Sequence, residues 1–157
     1  MTVMKTRVLV LCTGNSARSQ MAEGLLRHDG GDGFSVESAG TKPGQVRPEA
    51  IAVMHEIGID ISGHRSKHVD EFSGHTFDYV ITVCDRARAT CPVFPGSANT
   101  LHWGLDDPSD VEGSDAVKLA AFRRTETEVS ARLRPFIEEA LRAAGRPRRP
   151  ELMSHAS

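Results

Sequence analysis

No apolar run in the chain approaches the length of a membrane span. The stretch near the start, Val8 to Cys12, is also too short for the core of a signal peptide. A cytoplasmic protein is therefore expected. Charge of one sign is missing too, with Lys+Arg 19 against Asp+Glu 21. No global field then recruits nucleic acid or an anionic membrane, and a small anionic ligand would have to be held by local groups. Cysteine is scarce: three is an odd number and a poor basis for a disulfide framework, but it fits working thiols in a reducing compartment. Internal repeats are absent, and no stretch offers a convincing oligomer interface, so a monomer is expected. The 157 residues suffice for one core. That domain is expected over residues 1–145. Residues 146–157, with Pro147-Arg148-Arg149-Pro150 and few apolar anchors, read as a disordered tail.

What is present alternates between two periods. Arg7 to Cys12 is a β-branched, Leu-rich run and reads as a strand buried on both faces. Ser19 to His28 carries Met21, Ala22, Leu25 and Leu26 at helical spacing, and Asp29-Gly30-Gly31 should stop it. Phe34 to Ser38 predicts a second strand. Pro48 to Ile57 predicts a second helix, with Pro48 in its first turn and Gly58 past its end. A helical turn is expected at Val69 to Phe72, a strand at Phe77 to Cys84 and a weaker one at Thr100 to Trp103. Ser114 to Leu133 returns to helical spacing, and Pro135 should kink or interrupt it before Phe136 to Ala144. Strands alternating with helices predict a parallel sheet covered on both faces, whose ligands bind beyond the carboxyl ends of the strands. Cys12 and Cys84 both fall on that rim.

The run Val-Leu-Cys-Thr-Gly-Asn-Ser-Ala-Arg-Ser joins the first strand to the first helix. Backbone N–H groups at a helix start lack intrahelical partners and suit an anion. Gly14 permits close approach, Arg18 can donate two parallel hydrogen bonds to a tetrahedral oxyanion, and the same positive field favours a Cys12 thiolate. The Ser19 hydroxyl is a candidate donor to that sulfur. A core cysteine followed by an ordinary turn is the plain alternative, and the strand before and helix after weigh against it. Cys84 and Cys91 enclose a short polar connection and form a candidate dithiol, which suggests redox chemistry on the bound anion. Zinc would want four ligands where only these thiols and His102 lie near in sequence, so no metal or other cofactor is expected. Asp106-Asp107-Pro108 follows the fourth strand. From spacing alone it reads equally as a plain turn or as a source of a general acid.

Several motifs taken jointly are specific: Cys12 to Ser19, Gln20-Met21-Ala22-Glu23-Gly24, Ser38-Ala39-Gly40, Asp60-Ile61-Ser62-Gly63-His64, and His102-Trp103-Gly104-Leu105-Asp106-Asp107-Pro108. From Arg7 to about Ile137 the chain resembles the low-molecular-weight tyrosine phosphatase family, most closely its arsenate reductase branch. The resemblance implies a single three-layer α/β domain whose four-stranded parallel sheet has the order 2-1-3-4, with helices on both faces. It also implies an oxyanion cradle of Thr13, Gly14, Asn15, Ser16, Ala17, Arg18 and Ser19, with Cys12 as nucleophile and Asp107 as acid. The Cys84 to Cys91 spacing matches the branch that uses thioredoxin. The implied activity is reduction of arsenate to arsenite through a Cys12-Cys84-Cys91 relay, with phosphate or sulfate as competing oxyanions.

In relatives Asn15, Glu23 and Ser38 belong to a hydrogen-bond and cation-binding network that an acidic residue completes near the position of Lys67. The lysine is expected to repel potassium and to supply positive charge beside Glu23; an unpartnered surface lysine is the other reading. His64 reads as a structural hydrogen-bonding residue rather than a base. A tyrosine phosphatase would use the same loop and acid but finish with water. Ser109 weighs against it, standing where such phosphatases commonly carry an aromatic grip. A thiol-based arsenite or redox sensor would leave Arg18 and Asp107 without a purpose.

Overall fold

Thr6–Cys12 forms the first strand, β1, whose Val8, Leu9, Val10 and Leu11 have no exposed surface. Residues on alternate sides of a strand are buried together only when both faces of the sheet are covered. The computed structural model describes residues 5–84 and 99–145. Cys91 and the expected tail lie outside the described residues. After β1 come helix α1 (Arg18–Gly30), strand β2 (Phe34–Gly40), helix α2 (Pro48–Glu56), strand β3 (Tyr79–Thr82), strand β4 (Asn99–His102) and helix α3 (Asp115–Ala143). The strands form one parallel sheet in the order β2-β1-β3-β4, with Cys12 opposite Gly40 and Leu11 opposite Thr82. That is the architecture the resemblance implies.

Local chemistry explains most boundaries. Gly31 ends α1 at φ 66, a conformation that costs glycine little, so the helix runs through Asp29 and Gly30 before stopping. Pro48 occupies the first turn of α2, Gly58 follows its end at φ 82, and Val69–Phe72 is a short 3-10 turn, as expected. Strand β3 is shorter than its apolar run. Its ladder nevertheless continues at both ends, where the Asp78 N–H donates to Arg7 O at 2.8 Å and the Val83 N–H to Leu11 O at 2.9 Å. The sheet edge that carries Cys12 therefore also fixes the approach to Cys84.

Pro135 does not interrupt the last helix. It lies inside α3, which continues for 29 residues. A proline within a helix costs about 3 kcal/mol through its missing N–H and its ring clash. Leu133, Phe136, Ile137, Ala140 and Leu141 flank it and are all buried, and each large apolar side chain contributes about 1.5–3 kcal/mol. Burial outweighs the proline. The Phe136 ring packs edge-on against Tyr79 at 4.9 Å and Trp103 at 5.9 Å, and 6.2 Å from Phe34, so one residue ties α3 across the sheet. No helix among the described residues is long and apolar enough to cross a membrane.

Candidate active site

The turn after β1 is shaped by what its carbonyl groups face. Thr13 O accepts from the Lys42 N–H at 2.9 Å, Gly14 O from the Gly44 N–H at 3.0 Å and Ser16 O from the Arg47 N–H at 2.8 Å. Asn15 O accepts from the Ser66 hydroxyl at 2.6 Å and from Gln20 Nε2 at 3.1 Å. In a trans peptide the C=O and the following N–H point in opposite directions. Four outward carbonyls therefore turn the N–H groups of residues 14 to 17 inward, where α1 begins. The Asn15 N–H donates to Cys12 Sγ at 3.1 Å, and the Ser19 hydroxyl lies 2.9 Å from the same sulfur. Such an array suits an anion bound at the start of α1.

Asn15 holds the turn in a left-handed conformation, φ 47, and its side chain is fully engaged. Nδ2 donates to Ser19 Oγ at 2.8 Å and Ser38 Oγ at 2.9 Å, while Oδ1 accepts from Gln20 Nε2 at 3.1 Å and the Lys67 N–H at 2.8 Å. The Ser38 hydroxyl in turn donates to Glu23 Oε1 at 2.6 Å. Lys67 is not an unpartnered surface lysine: its buried Nζ sits 3.6 Å from Glu23 Oε1 and 3.4 Å from Glu37 Oε2. Arg27 approaches the other Glu23 oxygen at 3.1 Å. Two cations therefore neutralise a carboxylate that would otherwise be buried unpaired. His64 Nδ1 meets Gln20 Oε1 at 3.0 Å, and burial pushes its pKa down, with Glu23 opposing and Arg27 and Lys67 adding to the shift. Gly40 completes the support. A Cβ there would lie 2.4 Å from Thr13 O and 2.9 Å from Asn15 N, so only glycine lets β2 pass beneath the loop.

Across a cavity of about 580 Å³ stands a different wall. Arg18, nearly buried, donates from Nη1 to Leu105 O at 3.0 Å and places Nη2 3.3 Å from Asp107 Oδ2. Its Nε is buried with no hydrogen-bond partner among the described residues, a costly arrangement that a bound oxyanion would relieve. Asp107 makes the turn contact that its Asp-Pro pair announces and also faces the cavity. Oδ1 caps the turn by accepting from the Ser109 N–H at 2.9 Å, while Oδ2 faces Arg18. Cys84 borders the same cavity, and its Sγ lies 3.2 Å from Thr13 Oγ1. Cys12, Thr13, Gly14, Ser16 and Ala17 line the cavity too, while Asn15 and Ser19 are buried and do not.

Sequence reading missed the residues whose part depends on tertiary contact. Leu105 contributes only a carbonyl, and Ser66 and Gln20 reach the loop from 51 and 5 residues away. Arg47 lines the cavity from the start of α2, and nothing in its neighbourhood of the sequence signals that.

The family model described as low molecular weight phosphotyrosine protein phosphatase matches residues 7–146. An arsenate reductase of Halalkalibacterium halodurans is 44% identical over 134 residues, covering 85% of this chain and 96% of that protein. A solved arsenate reductase in a phosphate-binding state superposes with TM-score 0.74 at 35% identity, over 87% of this chain and 98% of that one. A thioredoxin-dependent arsenate reductase of Corynebacterium glutamicum gives TM-score 0.65 at 29% identity, over 89% of this chain and 65% of that one.

Proposed function

The chain belongs to the low molecular weight phosphotyrosine protein phosphatase family, and from that premise we propose that it reduces arsenate to arsenite with thioredoxin as the electron donor. The observation that carries this reading is that two thiols, Cys12 and Cys84, open on one oxyanion cavity with the Thr13 hydroxyl against the second. Hydrolysis needs only the first thiol. A second one on the same rim, seven residues before Cys91 in a sequence of three cysteines, supports a sulfur relay.

The inward N–H groups and Arg18 hold the oxyanion, and the Cys12 thiolate attacks arsenic as Asp107 protonates the departing oxygen, which leaves as water. Thr13 orients Cys84, whose sulfur then attacks Cys12. The arsenic–sulfur bonding pair stays on arsenic, which falls from the +5 to the +3 state, and a Cys12–Cys84 disulfide forms. Cys91 attacks Cys84, Cys12 is released as a thiolate, and the Cys84–Cys91 disulfide takes two electrons from the thioredoxin dithiol. Asn15, Glu23, Ser38 and Lys67 keep the cradle in shape, Lys67 supplying charge that a bound cation would otherwise bring. We assign this chemistry to residues 1–145 acting as a monomer in the cytoplasm, where phosphate and sulfate compete for the cradle and no further cofactor takes part.

Cys84→Ser tests the reading. It should lower arsenate-dependent oxidation of thioredoxin by more than about 10³-fold yet leave hydrolysis of a small aryl phosphate within about threefold. Retained thioredoxin oxidation would overturn the relay. Weak aryl phosphate hydrolysis is expected as a side activity, because the same thiolate, cradle and acid serve a cysteinyl-phosphate.

A further inference from the structure

The cavity has a charge problem that its known parts leave unsolved. Among the described residues its wall carries two cations, Arg18 and Arg47, against three carboxylates, Asp106, Asp107 and Asp110. Arg18 has Nη2 beside Asp107 and Nη1 on Leu105 O, which leaves only its buried Nε without a partner among the described residues. Bringing a doubly charged oxyanion beside a sulfur anion into such a wall requires positive charge from elsewhere. Arg47 is placed to supply it. Its backbone N–H is tied to Ser16 O of the anion loop at 2.8 Å, which fixes where its side chain starts. Glu49 Oε2 engages only Nε, at 3.2 Å, and the terminal nitrogens make no other hydrogen bond among the described residues. The side chain is 41% exposed, open to an entering ion.

We propose that Arg47 is a second substrate-binding cation, which contacts the outer oxygens of a doubly charged tetrahedral oxyanion held from within by Arg18 and the loop. It deepens the reductase reading by naming the ionised form of the substrate that the site selects. Glu49 keeps the guanidinium at the wall while leaving its outer edge free, and a planar fork is the geometry that matches two oxygens of such an ion.

The probe is inorganic phosphate, titrated calorimetrically into the reduced full-length protein. Arg47→Ala should weaken binding about tenfold at about pH 8, where phosphate is mainly the dianion, and only about threefold at about pH 6. Arg47→Lys should stay within about threefold of the parent, and Arg47→Gln should lose as much as the alanine variant. Arg134→Ala removes one charge from an exposed position of α3 that does not line the cavity, and should change binding less than about twofold. Unchanged binding in both Arg47→Ala and Arg47→Gln would overturn the proposal, as would an equal loss in Arg134→Ala. Phosphate binding involves no electron transfer and no thiol-disulfide exchange. Failure of the reductase reading would therefore leave these outcomes standing, and failure here would leave the sulfur relay standing.

Discussion

The two walls of the cavity are built on opposite plans. Behind the Cys12 loop lies a buried polar network in which the Asn15 amide uses both donors and both acceptor positions, and Ser38, Glu23 and Lys67 continue the chain inward. Among the described residues the Asp107 wall has no comparable backing. Asp107 is held by one local turn contact and by a 3.3 Å pairing with Arg18, and its side chain is 31% exposed. Preorganised donors stabilise developing charge without reorganising at the moment of reaction. A proton donor, in contrast, must be free to leave its resting partner. On the proposed reading, the rigid wall binds and the looser wall moves a proton.

Breaking the loose wall should produce the largest effect, and on rate alone. Asp107→Asn keeps the turn contact but cannot deliver a proton, so kcat for aryl phosphate should fall by about 10²–10⁴-fold while the melting temperature stays near that of the parent. A matching loss of stability would show that Asp107 is structural. Breaking the rigid wall should instead cost stability and binding together. Asn15→Ala leaves several buried partners unsatisfied and places alanine at positive φ. Denaturant unfolding should reveal a loss of about 2–4 kcal/mol, with phosphate binding weakened in parallel.

Gly40→Ala attacks the same wall from below, because its methyl group must displace Thr13 O or lift β2. The expected cost is about 1–3 kcal/mol, with a rise in KM that exceeds any change in kcat. The smallest effect concerns pH. Burial favours neutral His64, so the unfolded chain takes up this proton first as pH falls below the ordinary value of 6.5. Stability from this group is complete above that value and is lost as pH drops through the lower folded value. Melting temperatures measured between about pH 8 and about pH 5 should fall more steeply for the parent than for His64→Gln. Parallel slopes would remove His64 from the network's pH response.

The same contrast explains how far the sequence could be read. The anion loop was legible because Cys12 to Ser19 is contiguous and its strand and helix carry clear apolar periods. Asp107 was half legible: an Asp-Pro pair announces a turn, and only the fold shows its second oxygen facing Arg18. Arg47 and Ser66 were invisible, since each acts through a contact made by folding rather than by a local pattern. The interruption allowed for at Pro135 is absent for a related reason. Local propensity marks a break there, but Phe136 packs on three aromatic rings that the sequence does not bring together.

The sulfur relay is tested most directly by a single turnover of reduced Cys91→Ser with excess arsenate and no external thiol, with arsenite and the protein's disulfides measured on the same sample. One arsenite per chain, followed by arrest with Cys12 and Cys84 joined in a disulfide, is the expected result. Arsenite released while both thiols remain free, or arsenite formed repeatedly without a reductant, would contradict it.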